Sequence, residues 1–330
     1  MKLSRRVFLH LAAGAAALPA RSRIAWAQPY PTRLVRVIVP FGLAGATDIV
    51  ARLIGRWLSE RLGQPFVIEN RPGVNTNLGV EAVVRAPPDG YTLVLAGAPS
   101  AINATFYDKL SFNFIRDIAP VAAIIRFPNV VVVNLSVPVK TIPELIAYAK
   151  ANPGKLNLAS PGSGSTPHLA GVLFNMMTGV DMVHVPYRST AALITDLLSE
   201  QVQVFFGTTA AVTEYVRTGA VRALAVTTAV RSEALPDIPT VAEFVPGYES
   251  SAWYGIGAPR NTAGEIVDKL NAEINASLAD PKLKARFADL GGVTLAGSPA
   301  DFGRLIAEET EKWAKVVKFS GAKAEERLLR

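Results

Sequence analysis

The chain has no cysteine, and this absence excludes disulfide bonds, thiolate nucleophiles, zinc–thiolate sites and a lipid-anchored cysteine. Histidine is scarce, with three residues in 330, and only His168 and His184 lie beyond the first 27 residues. No cluster of His, Asp and Glu has the spacing of metal ligands. We therefore expect neither a metal ion nor a cofactor.

The chain also has little excess positive charge once its N-terminal segment is set aside. The net charge of +7 comes from 34 Lys and Arg against 27 Asp and Glu. Five of the cations lie in the N-terminal segment: Lys2, Arg5, Arg6, Arg21 and Arg23. The remainder carries 29 basic residues (34 − 5) against 27 acidic ones, with no basic run. This balance argues against nucleic-acid binding.

Residues 1–27 have the pattern of a cleaved export signal. A twin arginine at positions 5–6 precedes the apolar residues 9–18, and the AWA of residues 25–27 is an A-x-A cleavage site. This pattern predicts the twin-arginine route to the periplasm, with an ordinary secretory leader as the alternative. The mature protein is expected to begin at Gln28 without a membrane span, and its roughly 300 residues predict two domains.

Residues 34–62 are predicted to form a strand, a loop of small residues and an amphipathic helix. Residues 34–39 are rich in β-branched side chains, and apolar residues recur at helical spacing after the N-cap signal of Thr47 and Asp48. The loop therefore lies at the carboxyl end of a strand and at a helix N-terminus, where free backbone N–H groups attract anions. We call this loop the first cradle: Phe41, Gly42, Leu43, Ala44, Gly45 and Ala46.

The alternation of strand and helix continues after the first cradle. Further strands are predicted at residues 65–69 and 91–96, with a helix at 76–85 between them. Such alternation indicates a parallel, doubly wound sheet whose ligand loops gather outside the carboxyl ends of the strands. The loops at 70–75 and 97–100 are therefore expected beside the first cradle.

A second parallel α/β sheet is predicted after residues 121–134, two apolar runs that we interpret as a crossover between domains. Its strands are expected at 156–160, 182–187, 202–207 and 221–228, and its helices at 165–177, 190–199 and 210–218. Residues 251–259 are interpreted as a return strand, followed by helices at 262–278, 281–290 and 298–319 that cover the first sheet. Two crossings between domains predict a hinge, with residues 28–125 and 252–330 in domain 1 and residues 126–251 in domain 2.

Residues 160–166 follow a predicted strand and open a helix, and we call them the second cradle. Their glycines allow backbone N–H groups to converge, and Ser163, Ser165 and Thr166 add hydroxyl donors. An ordinary strand-to-helix turn is the alternative interpretation. The pairing with the first cradle favours anion binding between the two domains.

Enzyme motifs are absent or incomplete. The chain has neither a P-loop nor a G-x-S-x-G nucleophile elbow. Gly42 and Gly45 do not complete G-x-G-x-x-G, although Glu69 stands where a ribose-binding acid would. His184 is expected in a strand buried on both faces, as a core histidine, while His168 remains open between a structural role and a site role. Trp253 and Tyr254 are expected to be core aromatics, with a pocket role as the alternative.

Ordered sequence blocks along the whole mature chain are similar to those of one receptor family. They lie at residues 40–48, 70–73, 86–93, 152–156, 168–171 and 184–187. On these blocks the chain resembles the solute-binding receptors of tripartite tricarboxylate transporters, also called Bug-type receptors. The resemblance implies an α/β, two-lobed periplasmic binding protein of the Venus flytrap type, with two doubly wound domains joined by a two-crossover hinge.

The resemblance also implies a function. Such a receptor captures a small mono- or dicarboxylate, aromatic acids included, in the interdomain cleft and delivers it to large and small membrane subunits encoded elsewhere. It is expected to be a monomer, not an enzyme, and to bind no nucleic acid. A dinucleotide-dependent α/β enzyme and a ligand sensor without a dedicated transporter are the alternatives.

Carried over position by position, the resemblance assigns the ligand to two groups of residues. The first group is expected to hold one carboxylate, partly through ordered water: Phe41, Gly42, Leu43, Ala44, Gly45, Thr47, Asp48, Asn75, Thr76, Asn77, Ala98 and Ser100. The second group is expected to hold the other end of the ligand: Ser160, Gly162, Ser163, Gly164, Ser165, Thr166, His168, Tyr187, Arg188, Thr190, Phe206 and Gly207. Neutral donors suffice for such a site, with assistance from Arg188.

Departures from the family pattern bear on the identity of the ligand. The usual Pro and Gly of the first cradle are Leu43 and Ala44, and the usual Gly-Gly of the next loop is Asn75-Thr76. Gly207 stands where an Asp often faces the cleft, and without that acid an amino acid is a less expected ligand. An alkyl or aromatic acid is favoured by apolar surface from three residues: Phe41, Leu43 and Phe206.

Overall fold

A computed structural model describes residues 30–43, 45–232 and 235–321. The expected leader and its cleavage site lie outside these ranges, as does Ala44 of the first cradle. The described strands are β1 (Val35–Val39), β2 (Phe66–Asn70), β3 (Thr92–Gly97), β4 (Ile118–Val133), β5 (Asn157–Ser160), β6 (Val183–Pro186), β7 (Val204–Thr208), β8 (Arg222–Val226), β9 (Ser251–Pro259) and β10 (Val293–Thr294).

The α-helices of the described ranges alternate with these strands. They are α1 (Ala46–Leu62), α2 (Asn77–Val84), α3 (Ala98–Phe106), α4 (Phe114–Asp117), α5 (Ile142–Ala151), α6 (Thr166–Thr178), α7 (Thr190–Leu198), α8 (Thr209–Arg217), α9 (Gly264–Ala279), α10 (Pro281–Asp289) and α11 (Pro299–Ser320). A 3₁₀ turn covers Val241–Glu243. Within the described part of the chain, no helix is both long and apolar enough to cross a bilayer.

All the described strands belong to one curled sheet in the order β2-β1-β3-β9-β4-β7-β5-β6, with β8 and β10 also paired to β4. β1 runs parallel to β2 and β3, and β5 runs parallel to β6 and β7. The two long strands β4 and β9 run antiparallel to each other and to their neighbours. The prediction of two parallel sheets was therefore wrong for the strands that cross between the lobes, and β10 was not predicted.

Strand β4 joins the two halves of the molecule. Its residues up to Pro128 pair with β9, and from Asn129 onward they pair with β7 and β8. The return connection lies beside it, because Thr227 N–H donates to the carbonyl of Asn129 and Ser250 N–H donates to the carbonyl of Thr227, both at 2.9 Å. We call the half with β1–β3, β9 and β10 the first lobe, and the half with β5–β8 the second lobe.

Local sequence signals explain where the helices begin and end. Thr141, Ser165 and Ser298 each accept a hydrogen bond from a backbone N–H of the following first turn. Gly63 ends α1 with a φ of 71°, a left-handed conformation that glycine adopts without strain. These caps account for the close agreement between predicted and observed helix boundaries.

The core continues from one lobe into the other. One buried cluster contains Phe106 of the first lobe together with Phe174 and Phe206 of the second. The last helix, α11, adds Trp313, whose indole N–H donates to the buried Glu309 carboxylate at 2.8 Å. Trp253 at the start of β9 donates to the same carboxylate at 3.1 Å, so α11 is fastened to a strand that leads out of the hinge.

Candidate functional site

The strand pairings bring the carboxyl ends of both strand sets to the lobe junction. In the first lobe, Gly97 at the end of β3 pairs with Tyr254 near the start of β9. In the second, Thr208 at the end of β7 pairs with Asn129, where β4 changes partners. The loops that follow these strands therefore border one cleft, as expected for a doubly wound α/β fold.

The first cradle is open and its helix is uncapped. Leu43 is 71% exposed, Phe41 is half-buried, and a Cβ atom added to Gly42 or Gly45 would meet nothing within 4 Å. No side chain caps the N-terminus of α1 at Gly45. No side-chain cap therefore occupies the N-terminus of α1, which is the end of a helix that attracts anions.

Asp48 anchors the first cradle. Asp48 is 4% exposed, and its carboxylate accepts hydrogen bonds from Arg52 Nε at 2.9 Å and from Asn70 Nδ2 at 3.0 Å. Asn70 Nδ2 also donates to the carbonyl of Phe41 at 3.1 Å. Asp48 is thus charge-paired by Arg52 and ties α1 to the end of β2, which is a structural task beside the ligand position that the sequence predicted.

The loop before α2 is strained. Val74, Asn75 and Thr76 have φ values of 46°, 49° and 80°, a left-handed conformation that glycine adopts freely and that costs a β-branched residue on the order of 1–3 kcal/mol. The Gly-Gly usual in the family would be free of this cost at the last two positions. Thr76 Oγ1 and Asn77 Nδ2 are buried and have no hydrogen-bond partner among the described residues.

Asn103 holds this strained loop against α3. Its side-chain amide donates to the Asn75 carbonyl at 2.6 Å and to Asn77 Oδ1 at 2.8 Å, and its Oδ1 accepts from Asn75 Nδ2 at 2.7 Å. Sequence reasoning missed Asn103, because an asparagine inside a short helix carries no signal of long-range contacts. Of the predicted residues on α3, Ala98 is in the core and Ser100 lines a cavity of about 300 Å³ with Tyr107 and Arg116.

Tyr254 and Phe41 form an apolar wall beside the first cradle. The Tyr254 ring packs edge-on against Phe41 at 5.4 Å and Phe127 at 5.9 Å between centroids, and it fills the space where a Cβ of Gly97 would stand. Burial raises the pKa of its hydroxyl, which forms a hydrogen bond with the Thr47 side chain. The expectation of core packing holds for the fully buried Trp253, but Tyr254 reaches the site. Its position at the entry of the return strand was the available signal.

The second cradle satisfies most of its own backbone. Gly162 N–H donates to Ser160 Oγ at 3.2 Å, Gly164 N–H donates to His168 Nδ1 at 3.1 Å, and Ser165 N–H donates to the Gly162 carbonyl at 3.3 Å. The predicted convergence of N–H groups on a ligand is therefore wrong at these three positions. Among the described residues of the loop, the backbone N–H groups of Ser163 and Thr166 keep no protein acceptor.

A stacked histidine pair lies behind the second cradle. The rings of His168 and His184 are 3.7 Å apart between centroids and inclined by 26°, and His184 Nε2 is 2.6 Å from Ser160 Oγ. Burial lowers the pKa of His168 to about 3, with a further contribution from His184, and burial lowers the pKa of His184 to about 4. The expectation that both faces of β6 are buried was wrong, because β6 is an edge strand and its Val183 is 45% exposed.

The loop between β6 and α7 supplies the rim of the second lobe. Burial, followed by a hydrogen bond to Asp196, raises the pKa of Tyr187 to about 12, and its hydroxyl donates to Asp196 Oδ2 at 2.7 Å. Ser189 caps α7, whose first residue is the half-buried Thr190. Arg188 is exposed and forms no ion pair with any residue in the described ranges.

Two predicted residues at the end of β7 point away from the cleft. Phe206 is fully buried and packs against Phe174 at 5.7 Å, so it offers no apolar surface to a ligand in this conformation. A Cβ atom at Gly207 would lie 2.4 Å from Val212 and 2.5 Å from the Phe205 ring. The expectation that a side chain at position 207 faces the cleft was therefore wrong, and only the backbone of Gly207 remains a ligand candidate.

Glu69, the acid that a dinucleotide site would need for the ribose, is already paired with two arginines. Glu69 accepts hydrogen bonds from Arg36 and Arg71, and the Arg36 hydrogen bond is the main cause that holds the pKa of this carboxyl below its usual value. In the part of the chain that the structure describes, no three His, Asp or Glu side chains are grouped as metal ligands. The site thus presents neutral donors and aromatic surface.

Comparison with known proteins gives a consistent picture. The family model "Tripartite tricarboxylate transporter family receptor" matches residues 50–321. Protein BugT of Bordetella pertussis is 35% identical over 300 residues, which cover 90% of this chain and 92% of that protein. Rpa4515 of R. palustris, solved with adipate, is 39% identical with a TM-score of 0.77, covering 89% of this chain and 99% of that chain.

A second solved structure supports the same assignment. MatC of Rhodopseudomonas palustris with bound malate is 32% identical with a TM-score of 0.73, covering 87% of this chain and 100% of that chain. These similarities confirm the predicted two-lobed α/β fold of a periplasmic binding protein. The chain belongs to the tripartite tricarboxylate transporter family of solute-binding receptors.

Proposed function

We propose that the mature protein binds a small organic mono- or dicarboxylate in the cleft between its lobes, in the periplasm, and delivers it to a membrane carrier. The observation that carries the proposal is the set of unsatisfied polar groups at the first lobe. The helices α1, α2 and α3 begin there without a side-chain cap, and Thr76 Oγ1 and Asn77 Nδ2 are buried without a partner among the described residues. Buried polar groups without partners are rare, and an anion or ordered water would satisfy these.

Neutral donors are sufficient for useful affinity. A hydrogen bond to a charged group contributes about 1.5–3 kcal/mol, and five or six of them outweigh the cost of association to leave about −8 kcal/mol, a micromolar Kd. The second lobe adds the Ser163 and Thr166 donors, with Arg188 at the rim. The carboxylates of the relatives named above, adipate and malate, belong to the same chemical class.

The body of the ligand is proposed to be alkyl or aromatic. Phe41 and Tyr254 form an apolar wall beside the first cradle, and Leu43 of the same loop is exposed to solvent. Asp48, in the first turn of α1 behind the first cradle, is paired with Arg52 and is therefore not available to pair with an ammonium group. A simple acid is accordingly favoured over its amino-acid analogue.

The remaining assignments follow the family. We propose export with cleavage near Ala27, action as a monomer without catalysis, and delivery to large and small membrane subunits. We assign residues 28–125 and 252–330 to one domain and residues 126–251 to the other, supported by the change of strand partners on β4 after Pro128. A ligand sensor without a dedicated transporter is the second candidate.

Calorimetry with a panel of ligands tests the proposal. The panel contains adipate, malate, benzoate, aspartate, NAD and NADP, titrated into the mature protein. We expect saturable one-site binding of at least one simple carboxylate, weaker binding of aspartate and none of the dinucleotides. Saturable dinucleotide binding without any response to the acids would refute the receptor assignment.

Lobe closure provides a second test. X-ray scattering of the ligand-free protein and of protein saturated with the best-binding acid should show a smaller radius of gyration with ligand, because a ligand held from both lobes draws them together. An unchanged profile at proven saturation would contradict closure.

A further inference from the structure

The stacked pair of His168 and His184 lies beside the second cradle but is not among the hydrogen-bond donors of the proposed function. His168 lies in the first turn of α6 and is 3% exposed, and His184 lies on the edge strand β6. Each ring engages one atom of the second cradle, since Nδ1 of His168 accepts from Gly164 N–H and Nε2 of His184 meets Ser160 Oγ. The pair therefore contacts the cradle at Ser160, its first residue, and at Gly164, its third residue from the end.

We propose that His168 and His184 are positioning residues that set the conformation of the second cradle as a neutral, stacked pair, and thereby determine which of its donors face a bound carboxylate. The inference rests on the proposed function. In this proposal both histidines act through Gly164 and Ser160, and His168 takes this role in place of the ligand contact that the resemblance implied for it.

The hydrogen bond to His168 decides the direction of one donor. Gly164 has a φ of 77°, and the space beside its Cα is filled by the Phe106 ring of the first lobe. With its N–H turned inward to His168, this residue is lost to the ligand, and the neighbouring Ser163 and Thr166 keep their N–H groups without protein acceptors. A protonated His168 ring would carry a hydrogen on Nδ1 and could no longer accept from the Gly164 N–H. The loop would then have to change its conformation.

The same bond fixes the tautomer. A backbone N–H can only donate, so His168 Nδ1 must be the unprotonated atom and Nε2 must carry the hydrogen. Two imidazolium rings at 3.7 Å would repel each other strongly, which favours a neutral pair. Burial and the neighbouring His184 are the influences on His168, and burial alone acts on His184.

The charged groups of the surrounding elements do not alter this state. Asp181 precedes β6 and is exposed, Arg188 follows β6 and is exposed, and Asp196 on α7 is bonded to the Tyr187 hydroxyl. None of them contributes to the pKa shift of either ring. Both rings are therefore expected to stay neutral under ordinary periplasmic conditions.

Nitrogen NMR of the mature protein tests the geometry without any ligand. The mature chain contains only these two histidines, so ring-nitrogen spectra are free of overlap from other residues. We expect both rings to stay neutral from about pH 8 to about pH 5, and His168 to be the Nε2–H tautomer. A ring that titrates near its ordinary pKa, or an Nδ1–H tautomer at His168, would overturn the proposal.

Substitutions that move one polar atom test the effect on binding. The amide of asparagine stands near the position of a histidine Nδ1, and the amide of glutamine stands near the position of Nε2. His168→Asn therefore keeps a polar group for Gly164 N–H, and His184→Gln keeps one for Ser160 Oγ. The swapped variants His168→Gln and His184→Asn carry the same groups at the wrong place. We expect adipate, or the best-binding acid of the panel if adipate fails, to bind within about twofold of wild type in the first two and about tenfold weaker in the swapped two.

Each position receives one asparagine and one glutamine, which carry the same amide and differ by one methylene, so measured stability can separate positioning from folding. Their melting temperatures are measured beside the affinities, and a loss of affinity that merely follows lost stability would overturn the proposal. Equal affinity in matched and swapped variants would overturn it as well. If NMR confirms the neutral pair while no acid of the panel binds, the proposed ligand class fails and the architecture of the cradle stands.

Discussion

The two cradles face the same cleft but treat their own polar groups in opposite ways. The helices α1, α2 and α3 of the first lobe begin without side-chain caps, and beside them Thr76 Oγ1 and Asn77 Nδ2 have no partner among the described residues. In the second lobe, Ser165 caps α6, Ser189 caps α7, and the cradle turns three N–H groups inward. Only α8 begins there without a side-chain cap in the described structure.

This difference indicates that the two lobes contribute to binding in different ways. An unsatisfied buried polar group costs about 1–3 kcal/mol, and a ligand that satisfies it recovers that free energy on binding. We therefore expect the first lobe to supply the larger share of the affinity. The second cradle already bonds most of its own N–H groups, and we expect it to meet the ligand as a preformed surface, so its conformation matters more than its number of donors.

The largest expected effect comes from placing an acid at position 207. Gly207→Asp buries an unpaired carboxylate against Val212 and Phe205, which should lower the free energy of unfolding by about 3–5 kcal/mol. Because the side chain points into the core of the second lobe, affinity for an acid and for its amino analogue should fall by the same factor. Chemical denaturation and calorimetry measure the two quantities.

A matched glycine of the first lobe serves as the control. Gly45→Ala adds its methyl group to open space at a φ of −77°, and it should change the free energy of unfolding by no more than about 0.5 kcal/mol. A stable Gly207→Asp protein with improved selectivity for an ammonium-bearing ligand would show that position 207 faces the cleft after all.

Gly207 also shows where sequence reasoning reached its limit. Alternating strands and helices, with Ser, Thr and Gly caps, located most elements to within one or two residues, because these signals are local. The direction of a side chain at a strand end depends on twist and on neighbouring strands, which one sequence does not encode locally. The antiparallel course of β9 and the edge position of β6 were missed for the same reason.

The sequence predicted which loops form the site, but it did not predict which atoms of those loops are available to a ligand. The strand-to-helix turns were identified correctly, since a Gly- and Ser-rich turn after a strand is a local pattern. Which N–H groups remain available is a property of contacts between distant segments, such as Asn103 with Asn75 and His184 with Ser160. Tyr254 entered the site for that reason too, through its contact with Phe41.

The second prediction concerns the pH dependence of stability, to which the second lobe contributes through His168 and His184. The pKa values of His168 and His184 in the folded protein, about 3 and about 4, lie below the ordinary 6.5. Between pH 6.5 and these values the unfolded chain binds more protons than the folded one, so stability is fully present above pH 6.5 and is lost as pH falls. The melting temperature of wild type should therefore drop between pH 7 and pH 4.5.

The histidine contribution is isolated by a double variant. His168→Asn/His184→Gln has no titrating ring in the second lobe, and its melting temperature should fall less over the same interval. The neutral donors of the first lobe do not titrate there. Parallel melting curves for the two proteins would show that the rings do not contribute to acid stability.

The third prediction removes one unsatisfied group from the first lobe. Thr76→Val replaces the buried Oγ1 with a methyl group of similar size, and the free protein should be equally stable or slightly more stable. Ligand affinity should fall by about tenfold, because an atom available to the carboxylate or its bound water is lost. Thr166→Val in the second lobe is the matched control, with a smaller expected loss. Equal losses at both positions would erase the proposed asymmetry between the lobes.

The smallest expected effect concerns the only rim cation among the predicted site residues, Arg188. It is exposed and makes no ion pair with a described residue, so it is free to attract an anion but is too well hydrated to clamp it. Arg188→Gln should slow association of a dicarboxylate by about threefold at low ionic strength, and the effect should vanish near 0.15 M salt, where charges are screened beyond about 8 Å. Arg286→Gln, an exposed arginine of α10 that pairs with Asp289, is the control and should leave the rate unchanged. Stopped-flow binding at two salt concentrations measures the difference. A salt-independent loss of more than tenfold would mean that Arg188 bonds directly to the ligand in the closed state, and the second lobe would then contribute charge as well as shape.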